Sequence, residues 1–351
     1  MHILLFVQII FIKGTNTIIN SSCNILSLSG GGSFGSLEIG ILSSVVDNNV
    51  LDYRLMTGVS VGGLNVGYLS HFTDINIGIN KLKDIYINMK NDDVYQFNFI
   101  EKSRLSFYDT TPLRNTIRKI LLPLNKQVIP AIVGSSNLYT GYMDIFNLEE
   151  YSIDDKVKVL MTTSAIPIVF PPIELNNSLY VDGGIISNSI INGIDHVVKC
   201  DTYNITYIST SSPLKTEGTD NITSMYEYTK RVIEVIKYDF NNELAEIRNF
   251  YCSPNKNINK NKNINKNINK NKNINKNKNK ININNININK ININNININK
   301  NINKNINKIN INYCYPTYQN LYKYSILDFT KGEELFNIGQ EHYKCTLIRL
   351  C

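Results

Sequence analysis

The 351-residue sequence predicts an α/β fold. Two successive segments favour it, because in each a short apolar strand leads into a glycine-containing turn and then into residues with helical spacing. The content of 42% hydrophobic and 10% aromatic residues is typical of a globular protein with a full-sized core. The same composition excludes collagen, a coiled coil and a small disulfide-stabilised knot.

The chain begins with a short apolar segment. Residues 3–12 are too few to span a bilayer, and the polar stretch 15–22 follows them. This arrangement is typical of a secretory signal peptide, so residues 1–22 are predicted to direct the chain out of the cell or into the endomembrane lumen. A membrane-anchoring segment and a buried first strand are the alternatives, because the start carries only His2 and no evident cleavage site.

The first strand–turn–helix segment carries a run of glycines. Residues 24–29 are a strand candidate, Gly30, Gly31 and Gly32 follow directly, and Gly35 precedes apolar residues at roughly helical spacing. Such a loop lets the backbone approach a bound group and directs N–H donors towards it, while the helix N-terminus favours negative charge. The run also fits a dinucleotide-binding fingerprint loosely, whereas a Walker loop is excluded because no Gly-Lys-Ser/Thr follows.

The second segment favours acyl transfer over dinucleotide binding. Residues 55–59 lead into the sequence Gly-Val-Ser-Val-Gly-Gly, which contains Gly58, Ser60 and Gly62, and a helix-compatible stretch follows over 64–71. Strand, sharp turn and helix are the parts of a nucleophile elbow, in which small residues flank a serine with a strained backbone. The glycine-rich loop one strand earlier would supply the oxyanion hole that such a nucleophile needs.

A serine nucleophile also needs a base, and histidine is one candidate. His71 lies eleven residues beyond Ser60 on the same predicted helix. That separation is about 16 Å along the helix axis, too far for proton transfer. His196 and His342 remain, and either would complete the order serine, acid, histidine of an α/β-hydrolase.

Asp182 is the candidate base that needs no histidine. It ends an apolar stretch and is followed by Gly183 and Gly184. A carboxylate serves as a base when it is desolvated and hydrogen-bonds directly to the hydroxyl. Asp-Gly-Gly also suits an ordinary hairpin turn, so the residues alone leave this choice open.

Together these motifs resemble the patatin-like phospholipase family and stand in the family's order. Further matching segments are Thr110-Thr111-Pro112-Leu113, Thr162-Thr163-Ser164-Ala165-Ile166-Pro167, Phe170-Pro171-Pro172, Asn188 and Ile326-Leu327-Asp328-Phe329. The resemblance covers residues 24–345, apart from a low-complexity tract. It departs from the family at Phe34, where Arg or Lys is frequent, and at Ser189, where proline often follows the asparagine.

The resemblance implies a three-layer α/β/α fold with a mainly parallel central sheet, in a single catalytic domain over residues 23–351. It also implies hydrolysis of lipid acyl esters at a membrane or micelle surface, of phospholipase A type or as a less specific esterase, without cofactor or metal. Carried over to this sequence, Ser60 is the nucleophile, Asp182 the base, and Gly30, Gly31 and Gly32 form the oxyanion hole. The supporting motif residues are Gly35, Gly58, Gly62, Gly183 and Gly184.

Two other functions fit parts of the sequence. A non-catalytic storage or surface glycoprotein would use the same scaffold, although it would not need both Ser60 and Asp182. An esterase with a Ser-Asp-His triad would use His196 or His342. Substitution of the two histidines separates this second alternative from a dyad enzyme.

Residues 255–312 consist only of Asn, Lys and Ile. They offer no helical period and too little variety to specify a packed core, so they are predicted to be a disordered and dispensable insertion. Thirteen of the 36 basic residues lie in the tract, which leaves 23 against 29 acidic residues elsewhere. The overall charge of +7 therefore gives no support for nucleic-acid binding, and a cationic arm for anionic lipid is the functional alternative for the tract.

The six cysteines all follow the apolar N-terminal segment. They are Cys23, Cys200, Cys252, Cys314, Cys345 and Cys351, and an even number is consistent with an oxidising compartment. Cys252 and Cys314 lie within three residues of the tract, one on each side. A bridge between them is predicted to close the base of the insertion, although coincidence explains the spacing equally well.

Overall fold

The computed structural model of the chain describes residues 21–47, 52–97, 105–212 and 308–350, together with residues 244, 248 and 252. The strands are β1 (Ser22–Leu28), β2 (Tyr53–Val59), β3 (Gln96–Phe97), β4 (Tyr108–Asp109), β5 (Ala131–Asn137), β6 (Met143–Asn147), β7 (Ile173–Leu175), β8 (Ser178–Asp182), β9 (Thr202–Ile208), β10 (Lys308–Pro316) and β11 (Tyr343–Leu350). The α-helices are α1 (Gly35–Asp47), α2 (Val61–Leu69), α3 (Ile75–Asn88), α4 (Thr111–Leu121), α5 (Ile153–Thr163), α6 (Ile194–Val197) and α7 (Gly332–Glu341).

One mixed sheet organises these elements. Its strands follow the order β11-β10-β9-β1-β2-β5-β8-β7, and β6 also pairs with β5. The pairings among the five central strands, from β10 to β5, are all parallel, and the outer pairings are antiparallel. Strands β3 and β4 form a separate two-stranded sheet. The predicted α/β fold with a mainly parallel central sheet is therefore confirmed.

Helices cover both faces of the sheet because its central strands are apolar on both sides. Leu26 of β1 and Met56 of β2 point into a core that they share with residues of α1 to α5. Ile25 and Leu55, their neighbours in sequence, point into a second core that contains Ile194 of α6. Two such apolar faces are typical of a parallel sheet between helical layers.

Strand β5 pairs with two strands in succession along one stretch of its backbone. Val59, the last residue of β2, pairs with Gly134 in parallel. The next residue of β5, Ser135, pairs with Asp182 of the antiparallel strand β8. The end of β8 therefore lies at the point where β2 stops and the turn at Ser60 begins.

The last part of the low-complexity tract belongs to the sheet, contrary to the prediction that all of it is dispensable. Residues 308–312 form the first half of β10, between β9 and β11. Ile309 and Ile311 are buried in the second core, whereas Asn310 donates a side-chain hydrogen bond of 2.9 Å to Asn204 Oδ1. An alternation of apolar and polar residues suits a strand. Residues 255–307 lie outside the described part of the chain.

The cysteine pairing also differs from the predicted one. Cys314 is bonded to Cys345, its direct partner across the antiparallel pair β10–β11, so the bridge from Cys252 to Cys314 is wrong. A second disulfide joins Cys23 at the start of β1 to Cys200, just before β9. Both bridges lock neighbouring strands and favour an oxidising compartment.

The predicted signal segment lies almost wholly outside the described residues, since the structure begins at Ser21 and β1 begins at Ser22. Ser21 N–H donates a hydrogen bond of 2.9 Å to Asp201 Oδ2, which places this residue in the folded part of the chain. None of the helices in the described ranges has the length and apolarity that crossing a membrane requires.

Two linker variants test whether the strand residues 308–312 contribute to stability while the rest of the tract does not. We expect a short Gly/Ser linker in place of 255–312 to lower the free energy of unfolding by about 4 kcal/mol or more, because it removes the buried Ile309 and Ile311. The matched linker in place of 255–307 keeps β10 complete and should leave the value nearly unchanged. Urea unfolding of both variants measures the difference, and equal stability of the two would contradict the role of these isoleucines.

Candidate active site

Ser60 occupies a sharp turn between β2 and α2. Its backbone has φ 55° and ψ −126°, a region that costs energy for any residue other than glycine. The turn is tight enough that a Cβ on Gly58 would overlap the backbone of Gly62, which explains the small residues around the serine. Ser60 N–H donates a hydrogen bond of 2.9 Å to Thr163 Oγ1 at the end of α5. The predicted elbow geometry is therefore present.

The Asp182 carboxylate lies directly beside this serine. Ser60 Oγ donates a hydrogen bond of 2.5 Å to Asp182 Oδ2, and both residues are 2% exposed. Asp182 Oδ1 accepts a hydrogen bond of 2.8 Å from Gly184 N–H. Gly183 packs against the carbonyl of Gly134, where a side chain would not fit. The Asp-Gly-Gly sequence therefore fixes the orientation of the carboxylate towards Ser60.

The glycine loop lies next to Ser60 and is held from two sides. Gly30 N–H donates a hydrogen bond of 2.9 Å to Asn188 Oδ1, and Gly30 O accepts one of 2.6 Å from the Thr210 hydroxyl. Gly30 is tightly packed, since a Cβ there would lie 2.8 Å from Ser60 Cβ. Because Asn188 occupies its N–H, Gly30 is not open to a ligand, which differs from the predicted oxyanion hole.

Gly31 and Gly32 remain the available donors of this loop. Within the described residues, neither N–H has a hydrogen-bond acceptor. Gly32 has φ +61°, a left-handed conformation that suits glycine, and it lines the same pocket as Ser60. Phe34 packs against the apolar cores.

A buried polar network lies behind the glycine loop. Glu38 of α1 is fully buried and accepts hydrogen bonds from Ser29 N–H at 2.7 Å and from Asn65 Nδ2 at 3.0 Å. Tyr86 of α3 donates a hydrogen bond of 2.6 Å to Asn65 Oδ1. Burial raises the pKa of the Glu38 carboxyl well above its usual value, although the two hydrogen bonds oppose this shift. Burial and the nearby Glu38 also raise the pKa of Tyr86.

Ser60 lines an apolar pocket that lies between helices α2, α3 and α4. Its volume is about 780 Å³, including the open mouth. Four residues of α2 line it, namely Val61, Leu64, Asn65 and Tyr68, and their spacing places them on one helix face. The opposite walls come from α3, α4 and the segment around Phe329. Asn65 and Tyr86 both line the pocket, so the polar network described above also borders it.

The histidines occupy other places. His71 is on the turn after α2, where Nδ1 lies 2.6 Å from Asn125 O and burial lowers the pKa of the ring. His196 belongs to α6 beside Asp195, and His342 follows α7 and contacts the Tyr318 ring. Among the described residues, no histidine lines the pocket. The structure thus brings Asp182, and not a histidine, to the serine hydroxyl.

The order of these features matches a known family. Residues 26–194 match the Patatin family, whose description is patatin-like phospholipase. Residues 26–194 form a patatin-like phospholipase domain. Residues that follow this domain in the chain also contact the glycine loop, namely Thr210 after β9 and Ile326 between β10 and α7. Ile326 O accepts a hydrogen bond of 2.8 Å from Ser33 N–H in the glycine loop.

Two solved structures match parts of the chain. VipD from Legionella pneumophila is 12% identical, with a TM-score of 0.33, over 55% of this chain and 51% of VipD. The heterodimeric ExoU-SpcU complex from the type III secretion system of Pseudomonas aeruginosa matches at 13% identity with a TM-score of 0.28. That match covers 65% of this chain and 51% of the other. The chain thus spans about half the length of each. No curated protein gives a significant match.

Sequence reasoning missed two parts of the site. Thr163 was visible only as part of a matching segment, and its role as acceptor for Ser60 N–H depends on the distance between α5 and β2. Glu38 was not singled out, although an acid among Leu37, Ile39 and Ile41 in a predicted buried helix signals a satisfied polar group.

Glu38 should make stability depend on pH. Burial raises the pKa of the Glu38 carboxyl in the folded protein well above its ordinary value of 4.5, so the folded state keeps its proton after the unfolded chain has lost it. The free energy of unfolding should therefore fall as pH rises above 4.5, by up to about 1.4 kcal/mol per pH unit until the folded pKa is reached.

The variant Glu38→Gln should remove this contribution, and urea unfolding from roughly pH 5 to pH 8 measures it. The exposed Glu333→Gln in the first turn of α7 is the matched control. If the free energy of unfolding has the same slope against pH in the wild type and in Glu38→Gln, the assignment of this slope to Glu38 is wrong.

Proposed function

We propose that the protein is a serine lipid acyl hydrolase in which Ser60 and Asp182 form the catalytic dyad. The observation that carries the proposal is the direct hydrogen bond from Ser60 Oγ to Asp182 Oδ2 beside an apolar pocket that Ser60 lines. The match of residues 26–194 to the patatin-like phospholipase family supports a lipid substrate.

The first half of the reaction transfers the acyl group to the enzyme. Asp182 accepts the proton of Ser60 as Oγ attacks the carbonyl carbon of the ester. The carbonyl oxygen becomes negatively charged, and the N–H groups of Gly31 and Gly32 donate to it. The tetrahedral intermediate collapses, the ester C–O bond breaks, and the leaving alcohol takes the proton from Asp182. An acyl-serine remains on Ser60.

The second half releases the acid. A water molecule takes the place of the alcohol, gives a proton to Asp182 and attacks the acyl carbon. The same two glycine N–H groups would stabilise the second oxyanion. When this intermediate collapses, Ser60 recovers its proton from Asp182 and a carboxylic acid leaves. Neither half requires a histidine, which fits the direct contact between the two side chains.

The pocket suits the acyl chain of the substrate. From Val61 to Tyr68 its wall on α2 is seven residues long, which corresponds to about 10 Å at about 1.5 Å per residue. An extended hydrocarbon chain with C–C bonds of about 1.5 Å advances about 1.3 Å per carbon, so about eight carbons fit along this wall. An ester with an eight-carbon acyl chain is therefore the substrate of choice for a first assay.

The compartment belongs to the same proposal. The apolar segment 3–12 and the two described disulfides support a secreted or lumenal enzyme. We propose that the enzyme binds its lipid substrates at a membrane or micelle surface, where acyl chains are available.

The test uses p-nitrophenyl octanoate as substrate. We expect Ser60→Ala and Asp182→Asn each to lower kcat/KM by roughly 10³-fold or more, because nucleophile and base act as a unit. Ser164→Ala is the matched control, since Ser164 lines the same pocket but donates its hydroxyl hydrogen bond to Leu160 O. Thermal unfolding verifies that each variant is folded. A loss below about tenfold in either dyad variant would reject the dyad.

A further inference from the structure

Ile168 is held in a conformation that a β-branched residue avoids. Its φ is +70°, in the left-handed region where glycine and asparagine are normally found. Its side chain is 55% exposed, although every other residue from Ser164 to Phe170 except the half-buried Pro167 is buried. Exposure gives an isoleucine no packing energy to offset the strain. Strain of this kind is a sign of function.

Two more apolar side chains are exposed beside it. Phe107 N–H donates a hydrogen bond of 2.9 Å to Ile168 O, and Ser106 forms a bridge with Ile168. Ser106 is buried, whereas its neighbours Leu105 and Phe107 are 65% and 38% exposed. The alternation of an extended segment places these two side chains on the outer side. Leu105, Phe107 and Ile168 are called the apolar rim below.

The apolar rim is continuous in the chain with the wall of the pocket. Ile166 and Phe170, two residues on either side of Ile168, are buried and line the pocket that contains Ser60. Ile168 therefore lies on the solvent side of a segment whose neighbouring residues form the pocket wall. The three rim side chains carry no charge, so they offer a partner only apolar contact.

We propose that the apolar rim inserts into a lipid surface and places the mouth of the pocket against it. This inference rests on the proposed function for its choice of a lipid surface, because the acyl chains of a membrane lipid lie below the head groups and must reach the pocket without crossing water. Burial in lipid stabilises the rim side chains, and this gain offsets the strain at Ile168.

A second exposed apolar group lies at the same edge of the sheet. The turn after β5 exposes Leu138, Tyr139 and Tyr142. Strands β2 and β5 are parallel, so this turn follows the same edge of the sheet as the turn that carries Ser60. Tyrosine side chains favour the boundary between lipid and water. The position of this turn is consistent with an edge that faces a membrane.

Vesicle binding tests the proposal. Proteins that carry Ser60→Ala, which would prevent hydrolysis during the assay, are mixed with phosphatidylcholine vesicles and separated by flotation. In this background we expect Ile168→Asn to lower the partition coefficient by about tenfold, and the triple variant with Leu105→Asn and Phe107→Asn to lower it further. Asparagine tolerates the left-handed conformation better than isoleucine, so the substitution at 168 should not cost stability.

Leu347→Asn is the matched control, because Leu347 is 54% exposed on the outer strand β11. It should bind vesicles like the parent protein. With Ser60 intact, the ratio of vesicle-lipid hydrolysis to soluble-ester hydrolysis should fall about tenfold in Ile168→Asn and stay constant in Leu347→Asn.

Three results would overturn the proposal. The first is vesicle binding by the triple variant that equals that of the parent protein. The second is binding that requires anionic lipid and disappears in high salt, because charge and not the rim would then carry it. The third is an equal loss in Leu347→Asn. Failure of the proposed function is distinguishable from failure of the rim proposal. A wild type without esterase activity would refute the function, but the vesicle-binding results would still test the rim.

Discussion

The site depends on the way in which β5 pairs with β2 and β8 at adjacent residues. Val59 pairs with Gly134 and Asp182 pairs with Ser135, so the residue after β2 and the last residue of β8 are brought together by backbone hydrogen bonding. Thr163 strengthens this junction, because its hydroxyl accepts from Ser60 N–H and donates to Gly134 O. The distance between Ser60 and Asp182 is therefore set by the sheet and requires no movement of a loop.

The remaining parts of the site are arranged around this junction. Asn188 accepts from Gly30 N–H and donates to Gly30 O, Thr210 also donates to Gly30 O, and the Glu38 carboxyl accepts from Ser29 N–H. The backbone of the glycine loop is thus fixed before any ligand arrives, which is the condition for effective stabilisation of a developing charge. The pocket follows from the same packing, since α2 starts at the serine and presents one face to α3 and α4.

Much of this arrangement could be predicted from the sequence. The elbow at Ser60, the Asp182 turn and the glycine run are local patterns, and each requires small residues for a reason that the sequence displays. Features set by distant parts of the chain could not be predicted. The bond from Cys314 to Cys345 depends on the register of β10 and β11, and the engagement of Gly30 N–H depends on Asn188, 158 residues away. The strand at 308–312 was missed because its composition equals that of the tract before it.

Covalent labelling with a fluorophosphonate tests the central claim most directly, because the reagent reports the nucleophile without any assumption about the substrate. The account predicts a single adduct, located on Ser60 by peptide mass spectrometry. It also predicts labelling that is slower by about 100-fold or more in Asp182→Asn, since a positioned base contributes about that much. An adduct on another serine, or equal labelling rates in the two proteins, would contradict the assignment of Ser60 and Asp182 as nucleophile and base.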